Sequence, residues 1–248
     1  LFSKLRKQVF GGNLRFFVGG GALLDIELQR YYAALGIPMF QGYGLSEASP
    51  VISSNTPARY RFGSSGILVK PMDLKVCDEE GRELPQGQKG ELWIRGGNVM
   101  AGYWRNEKST AETIVDGWLH TGDLALMDAE GNVTIKGRSK NLLLSASGQN
   151  IYPEEIEDKL NNLPYVSESI IVQQNEKLVG LVYPDFDDAF AHGLKNEDIE
   201  RVMEENRVAL NAMLPAYSQI SKMKIYPEEF EKTPKKSIKR YLYQEAKG

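Results

Sequence analysis

The stretch LRFFVGGGALLDIELQRYYAALGIPMFQGYG, residues 14–44, decides the fold class of the first part of the chain. LRFFV (14–18) is a short apolar run that ends in glycines, which indicates a buried strand. LLDIELQRYYAALG (23–36) has apolar residues three and four positions apart, which predicts an amphipathic helix that ends at Gly36. PMFQGYG (38–44) is a second apolar run. Strand, helix and strand in this order predict a parallel sheet.

Composition limits the class of protein around this stretch. The 248 residues predict two domains, since a domain has roughly 150 residues. A net charge of −3 argues against a nucleic-acid-binding protein or a polybasic membrane anchor. One cysteine, Cys77, and two histidines exclude intrachain disulfides and argue against Cys or His metal clusters. The chain has no apolar run of about 20 residues, no initiator Met and no signal-peptide layout. We therefore expect a cytoplasmic protein that is a piece of a larger one, without a transmembrane segment.

From about residue 62 the pattern changes to short strands separated by turns. DLKVC (73–77) and GELWIRG (90–96) alternate or run apolar, and DLALMD (123–128) with NVTIKG (132–137) predicts a hairpin. We expect these residues to form a small distorted β-barrel. It would follow the sheet of residues 1–60 and occupy residues 61–137.

After Gly137 the pattern is that of an α+β domain, which we assign to residues 138–248. PEEIEDKLNNL (153–163) begins with proline and carries acids in its first turn, which predicts a helix. The other predicted elements are a hairpin about Ser147-Gly148, strands at 169–174, 178–184 and 219–227, a helix at 196–213 and a helical tail from 237.

The loop GYGLSE (42–47) follows a predicted buried strand, where ligands bind in open α/β sheets. Tyr43 offers a flat face for a base, Ser46 a hydroxyl for a phosphate, and Glu47 a hard oxygen for Mg²⁺. The alternative is a tight loop that an aromatic side chain plugs.

Two further polar positions fit a nucleotide. Asp123 in WLHTGD is suited to accept hydrogen bonds from a ribose diol, or it caps a turn. Arg138 in GRSKNLL is suited to bridge a ribose or phosphate, or it lies in a solvated basic turn. The basic run EKTPKKSIKR (231–240), taken by itself, predicts a solvated face or a weak anion patch.

Taken in order, these motifs resemble those of the adenylate-forming (AMP-binding) superfamily, which includes acyl-CoA synthetases, luciferases and peptide-synthetase adenylation domains. The resemblance covers essentially the whole chain. It rests on a Gly-Gly-Ala turn at 20–22, GYGLSEASP, GELWIRGGNVMAGYW, GWLHTGD, GRSKNLLLSASGQNIYPEEIE and the basic C-terminal motif. The spacing from Gly137 to Gly148, the NIYPEEIE ending and the FEKTPKKSIKR tail are most similar to those of long-chain fatty acyl-CoA synthetases.

The resemblance implies a nucleotide site. Tyr43 would stack on adenine, Ser46 would bond the α-phosphate, and Asp123 would take the ribose hydroxyls with help from Arg138. The remaining residues that it implies for this pocket are Gly20, Gly21, Ala22 and Gly44.

It also implies roles outside the nucleotide pocket. Glu47 would hold Mg²⁺, Lys140 would be a hinge, and Gly148 would pass the pantetheine arm of CoA. The family's catalytic lysine aligns with Ser237, so the neighbouring Lys236 is the candidate for that role.

The implied fold has two parts. Residues 1–137 would be the C-terminal part of a large AMP-binding domain, and residues 138–248 a small mobile lid. The implied activity is that of an AMP-forming fatty acid–CoA ligase of lipid metabolism, using ATP and CoA with Mg²⁺. No Ser/Thr/Gly-rich phosphate loop is found in the sequence, so the N-terminal half would be missing and the isolated chain inactive.

Two alternatives stay open. One is a non-catalytic fragment that binds a nucleotide or a partner. The other is an enzyme that loads a carrier protein instead of CoA. Peripheral association with a membrane is compatible with a ligase that uses CoA and with one that loads a carrier protein.

Overall fold

The computed structural model describes residues 2–21, 24–234 and 237–244, and the chain divides into two compact units, Leu1–Ser139 and Lys140–Gly248. The division lies two residues beyond the predicted boundary after Gly137. Each unit has a hydrophobic core of its own.

The first unit begins with the predicted sheet. Strands β1 (Phe17–Gly19) and β2 (Met39–Gly44) pair in parallel, and helix α2 (Ile26–Ala34) connects them, so the predicted strand–helix–strand unit is confirmed. Asp25 caps α2 by accepting a hydrogen bond of 2.6 Å from the backbone of Leu28. The elements of this unit are α1 (Phe2–Phe10), β1 (Phe17–Gly19), α2 (Ile26–Ala34), β2 (Met39–Gly44), β3 (Val51–Ser54), β4 (Ile67–Leu68), β5 (Met72–Cys77), β6 (Gly90–Gly96), α3 (Glu107–Thr113), β7 (Ile114–Val115), β8 (Trp118–Met127) and β9 (Val133–Arg138).

The sheet continues beyond the parallel pair in a way that the sequence pattern did not predict. Strand β3 pairs antiparallel with β2 and with β4, so the four-stranded sheet is mixed. Ser49 reverses the chain before β3 with a left-handed backbone conformation, φ 55° and ψ 55°. VISS (51–54) is too short to give a clear periodicity, which is why no strand was predicted there.

Strands β5 to β9 form a curled antiparallel sheet, where a small β-barrel was predicted. The strand order is β5-β6-β8-β7, with β9 also pairing with β8. Its ten-residue strand β8 thus has three partners, and irregularities in its register bend the sheet without closing it among the described strands. Leu92, Ile94 and Leu119 are buried in one cluster with Ala48, which follows β2, and Ile52 of β3.

The second unit is an α+β arrangement, as predicted. A three-stranded sheet has the order β12 (Val166–Gln174), β13 (Lys177–Pro184), β14 (Lys222–Ile225), antiparallel between the first two strands and parallel between the last two. The short predicted hairpin is confirmed as β10 (Leu143–Leu144) and β11 (Asn150–Ile151). The elements are β10 (Leu143–Leu144), β11 (Asn150–Ile151), α4 (Pro153–Leu160), β12 (Val166–Gln174), β13 (Lys177–Pro184), α5 (Phe186–Ala191), α6 (Asn196–Ala212) and β14 (Lys222–Ile225).

Both faces of this sheet are covered. Ile171 and Val182 belong to a cluster with residues of α4 and α6 such as Leu160 and Leu210. On the other side Ile170 and other sheet residues pack with aromatic side chains from the C-terminal segment, namely Tyr226, Phe230 and Tyr243. The C-terminal segment therefore completes the core of the unit.

Two expectations for the tail are wrong. Residues from 237 do not form an α-helix in the described part, since Ile238 bridges antiparallel to Lys232 and only a 3-10 turn follows at Arg240–Leu242. The basic run is not simply a solvated face either. Lys239 pairs with Glu231 at 3.0 Å, and Arg240 is buried against Glu157. Long-range partners, which a local pattern does not contain, account for both differences.

None of the described helices combines the length and the apolar character that crossing a bilayer requires.

Candidate functional site

Tyr43, Asp123 and Arg138 form one hydrogen-bonded cluster in the first unit. The Tyr43 hydroxyl donates to Oδ2 of Asp123 at 2.6 Å, and Nη1 of Arg138 donates to Oδ1 at 2.7 Å. Asp123 on β8 lies directly opposite Arg138 on β9, so the ladder itself brings the ion pair together. Asp123 is only 5% exposed. Three residues that the sequence singled out separately thus lie together.

The electrostatics of the cluster keep Tyr43 a hydrogen-bond donor. Burial and the neighbouring carboxylate of Asp123 raise the pKa of the Tyr43 hydroxyl far above its ordinary value of 10. Each oxygen of Asp123 accepts one bond within the cluster, and a carboxylate oxygen has two lone pairs. The carboxylate therefore keeps capacity to accept further hydroxyl donors.

The turn that carries Ser46 and Glu47 follows β2 directly. Gly44 is required there, because a Cβ at this position would lie 2.0 Å from the carbonyl oxygen of Pro50. The backbone of Leu45 donates to the same carbonyl at 2.8 Å. The 3-10 turn Ser46–Ala48 then leaves Ser46 exposed and Glu47 half-buried.

A second segment, for which no function was predicted from the sequence, supports this turn. Residues 97–103, which follow β6, are called the supporting loop below. Met100 donates from its backbone to the carbonyl oxygen of Glu47 at 2.8 Å, and the hydroxyl of Tyr103 donates to Oε1 of Glu47 at 3.0 Å. Burial and the Glu47 carboxylate raise the pKa of Tyr103. The sequence signal for this residue is the motif GELWIRGGNVMAGYW, on which the resemblance partly rests. No function was predicted for the tyrosine of that motif, Tyr103.

The donor set at the turn suits Mg²⁺ better than a transition metal. No group of three or more His, Cys, Asp or Glu side chains is arranged to hold a metal among the residues that the structure describes. Mg²⁺, however, is commonly held by one or two carboxylates together with substrate phosphates and water. The half-buried carboxylate of Glu47 beside the hydroxyl of Ser46 fits that mode of binding.

The other predicted site residues are spread over both units. Gly20 lies beside β2, since a Cβ there would be 3.8 Å from the carbonyl oxygen of Gly42, and Gly21 follows it. Lys140 is exposed in the 3-10 turn Ser139–Asn141, where the two units divide. Ala22 and Lys236 lie outside the described residues.

Gly148 lies in the turn of the β10-β11 hairpin. Its backbone has φ +75° and donates to the carbonyl oxygen of Ser145 at 2.9 Å, and a Cβ there would meet nothing within 4 Å. A groove of about 390 Å³ borders this turn in the second unit, lined in part by Ser145, Ser147 and Tyr217. The backbone at Gly148 is therefore open to close approach by a ligand.

Comparison with known proteins gives matches over nearly the whole chain. The model of the AMP-binding enzyme family matches residues 2–104, and the model of the AMP-binding enzyme C-terminal domain matches residues 140–246. The chain is 37% identical over 180 residues to the long-chain-fatty-acid–CoA ligase FadD15 of Mycobacterium bovis, a match that covers 73% of this chain and 28% of that protein. It is 40% identical over 170 residues to the long-chain-fatty-acid–CoA ligase of Escherichia coli O6:H1, covering 68% of this chain and 30% of that protein.

Solved structures have the same fold. The anthranilate CoA ligase AuaEII in complex with anthranoyl-AMP superposes with a TM-score of 0.80 at 25% identity, over 92% of this chain and 44% of that one. The chain thus spans less than a third of the length of the two curated relatives and less than half of that structure.

Proposed function

This chain belongs to the family of AMP-binding enzymes, and from that membership we propose that its parent protein is an AMP-forming ligase that joins a long-chain fatty acid to CoA. In the first step a carboxylate oxygen of the acid attacks the α-phosphorus of ATP, which gives acyl-AMP and releases pyrophosphate. In the second step the thiol of CoA loses its proton and attacks the acyl carbon, which gives the thioester and releases AMP.

The observation that carries this proposal is the cluster of Tyr43, Asp123 and Arg138. We assign the ring of Tyr43 to the adenine and the carboxylate of Asp123 to the ribose hydroxyls. Because Tyr43 and Arg138 each hold one oxygen of Asp123, the carboxylate is fixed before a nucleotide arrives. A preorganised acceptor of this kind loses little entropy on binding. Gly20, Gly21, Ala22 and Gly44 would form the neighbouring wall of the pocket.

Ser46 and Glu47 would serve the phosphates. The exposed hydroxyl of Ser46 is placed to donate to the α-phosphate. Glu47 would hold Mg²⁺, whose charge, when the ion is bound, offsets the negative charge on the phosphate oxygens. Positioning and electrostatic stabilisation of this kind supply most of the catalysis in phosphoryl-type transfers.

The second unit would provide residues that act in only one of the two steps, together with a hinge. We assign Lys236 to the charge of the first step, Lys140 to a hinge between the units, and Gly148 to close passage of the pantetheine arm of CoA. The open backbone at Gly148 and the groove beside it support the last assignment. Residues 1–137 would then be part of the AMP-binding domain, and residues from 138 would act as its lid.

The identity of the acid rests on the two curated relatives, both of which are named for long-chain fatty acids. The test is acid-dependent exchange of labelled pyrophosphate into ATP by the parent protein, with acids from acetate to oleate and with benzoate. We expect exchange that is strongest with the long-chain acids. The isolated 248 residues should give none.

The same assay separates the alternatives. Exchange without acyl-CoA formation, restored by a phosphopantetheine-bearing carrier protein, would assign the enzyme to carrier loading. Exchange that is strongest with benzoate would replace the fatty acid with an aromatic acid. An absence of exchange with every acid would leave a nucleotide- or partner-binding protein without ligase activity.

A further inference from the structure

We propose that Tyr103 is a positioning residue that orients the carboxylate of Glu47 for the metal-bound nucleotide. The inference deepens the proposed function and rests on it, because that function assigns the metal to Glu47. It concerns residues of the first unit alone. Its basis is the contact between the Tyr103 hydroxyl and Oε1 of Glu47 at 3.0 Å.

The contact is one of three that hold the supporting loop, residues 97–103, against the turn Ser46–Ala48. Nδ2 of Asn98 donates to the carbonyl oxygen of Ala48 at 2.6 Å, and the backbone of Met100 donates to the carbonyl oxygen of Glu47 at 2.8 Å. These two bonds fix the backbone of the turn. The Tyr103 hydroxyl alone among the three contacts the side chain of Glu47, so it acts on the direction of the carboxylate.

Tyr103 is itself held in place from the other side by helix α3. Its backbone N–H donates to the hydroxyl of Thr110 at 2.9 Å, and that hydroxyl donates to the carbonyl oxygen of Asn106, also at 2.9 Å. Asn106 in turn donates from its backbone to the carbonyl oxygen of Tyr103 at 3.2 Å and caps α3 through Ser109. Because these bonds hold the backbone of Tyr103, its hydroxyl can fix the position of the Glu47 carboxylate that it binds.

The chemistry of the pair suits this role. A carboxylate on a short surface turn has several side-chain rotamers, and ordering it costs conformational entropy when the ligand binds. A hydrogen bond to one oxygen removes part of that freedom and leaves lone pairs on both oxygens for other ligands. Partners that orient a ligating side chain affect metal affinity by about 10- to 100-fold when they are removed.

The test compares Tyr103→Phe with the unchanged parent protein in two titrations. Binding of ATP is measured by calorimetry at increasing Mg²⁺, and binding of AMP is measured without any divalent metal. We expect Tyr103→Phe to need about 10-fold more Mg²⁺ for half-maximal ATP binding. AMP binding without metal should stay within about 2-fold, because the Tyr43–Asp123–Arg138 cluster is unchanged.

Two further variants separate positioning from general damage. Trp104→Phe is the matched control, since this neighbouring ring is 87% exposed, and it should leave both titrations unchanged. In a Glu47→Gln background, Tyr103→Phe should produce no additional shift in the Mg²⁺ requirement, because the group that it orients no longer carries the charge.

The outcomes are distinct. An unchanged Mg²⁺ requirement in Tyr103→Phe, or an equal loss of metal-free AMP binding, would overturn the positioning role while the proposed function stands. An additional shift in the Glu47→Gln background would overturn it as well. If the unchanged parent protein binds neither AMP nor ATP, the proposed function fails, and the role of Tyr103 fails with it.

Discussion

Arg240→Met should lower the free energy of unfolding of the second unit more than the loss of an exposed ion pair does, because it breaks a buried ion pair. Arg240 and Glu157 side chains are 13% and 12% exposed. Two guanidinium nitrogens of Arg240 donate to the two oxygens of Glu157, each at 2.7 Å, and Nη1 also donates to the carbonyl oxygen of Ile171 at 2.8 Å. The backbone of Ile171 donates back to Glu157 at 2.6 Å. The network thus joins α4, β12 and the C-terminal segment.

The magnitude follows from what the substitution leaves behind. Methionine fills most of the volume of the arginine stem but donates no hydrogen bond, so the Glu157 carboxylate stays buried with only the Ile171 N–H. Removal of one partner of a buried ion pair costs about 3–5 kcal/mol in free energy of unfolding. Since 1.4 kcal/mol is a factor of ten in an equilibrium constant, hydrogen exchange through global opening should accelerate by about two to three and a half powers of ten.

Hydrogen exchange measured by mass spectrometry is the suitable assay. All three tryptophans, Trp93, Trp104 and Trp118, lie in the first unit, so tryptophan fluorescence does not report on the second. Peptides that cover α4 and β12 should show the acceleration.

Two control variants test whether burial of the ion pair causes the loss. Arg207→Met makes the same change in a pair within α6 whose partner Glu204 is 61% exposed, and a loss of at most about 1 kcal/mol is expected there. The double variant Arg240→Met/Glu157→Leu should recover most of the loss, because apolar side chains of similar volume replace buried ion pairs at little cost. A loss below about 1 kcal/mol for Arg240→Met, or a double variant no more stable than the single one, would refute this reasoning.

Four other predictions concern the proposed site. Asp123→Ala should lower catalytic efficiency for ATP by about 10-fold or more, since each hydrogen bond to a charged group is worth about 1.5–3 kcal/mol; unchanged steady-state kinetics would remove Asp123 from the site. The raised pKa of Tyr43 means that the folded state favours the protonated hydroxyl, so its contribution to stability is complete below pH 10 and is lost as pH rises above it; in denaturant titrations Tyr43→Phe should reduce that alkaline loss relative to the unchanged chain. Lys140→Pro should separate the two half-reactions, keeping one in pyrophosphate exchange or thioester assays and losing the other, because proline fixes φ at the proposed hinge. Lys236→Ala should impair adenylation and spare thioester formation from supplied acyl-AMP; unchanged adenylation would mean that another lysine has this role.

Local patterns were sufficient for most of the fold. Apolar runs and helical spacing gave the parallel pair β1-β2, helix α2 and the sheet of the second unit, because these elements bury one stripe or one face of their own residues. Strand β3 and helix α5 are too short for a periodic signal. The curvature of β5 to β9 depends on bulges between strands, which the sequence of one strand does not specify.

Contacts between distant residues were the part that the sequence did not contain. The motifs named Tyr43 and Asp123 as nucleotide residues, but not the hydrogen bond that joins them across 80 positions. Glu157 was simply one acid of a predicted helix, and its partner Arg240 lies 83 positions away in a run that was expected to be solvated. Charged side chains on helices and tails are usually exposed, so only packing reveals the exception.

The packing of the tail bears directly on which lysine can serve the proposed adenylation step. Lys232 bridges to Ile238, and the backbone of Lys239 donates to the carbonyl oxygen of Glu231 at 2.8 Å, so residues 231–234 and 237–239 form the two sides of a hairpin stem. Along that stem Lys232 is paired with Glu168 and Glu229, and Lys239 with Glu231. A lysine whose charge is already compensated is a poor candidate for neutralising a phosphate. Lys235 and Lys236 lie between the two sides in sequence. The ion pairs of Lys232 and Lys239 therefore direct the proposed role to the two lysines beside Ser237 in sequence, Lys236 first and Lys235 as its alternative.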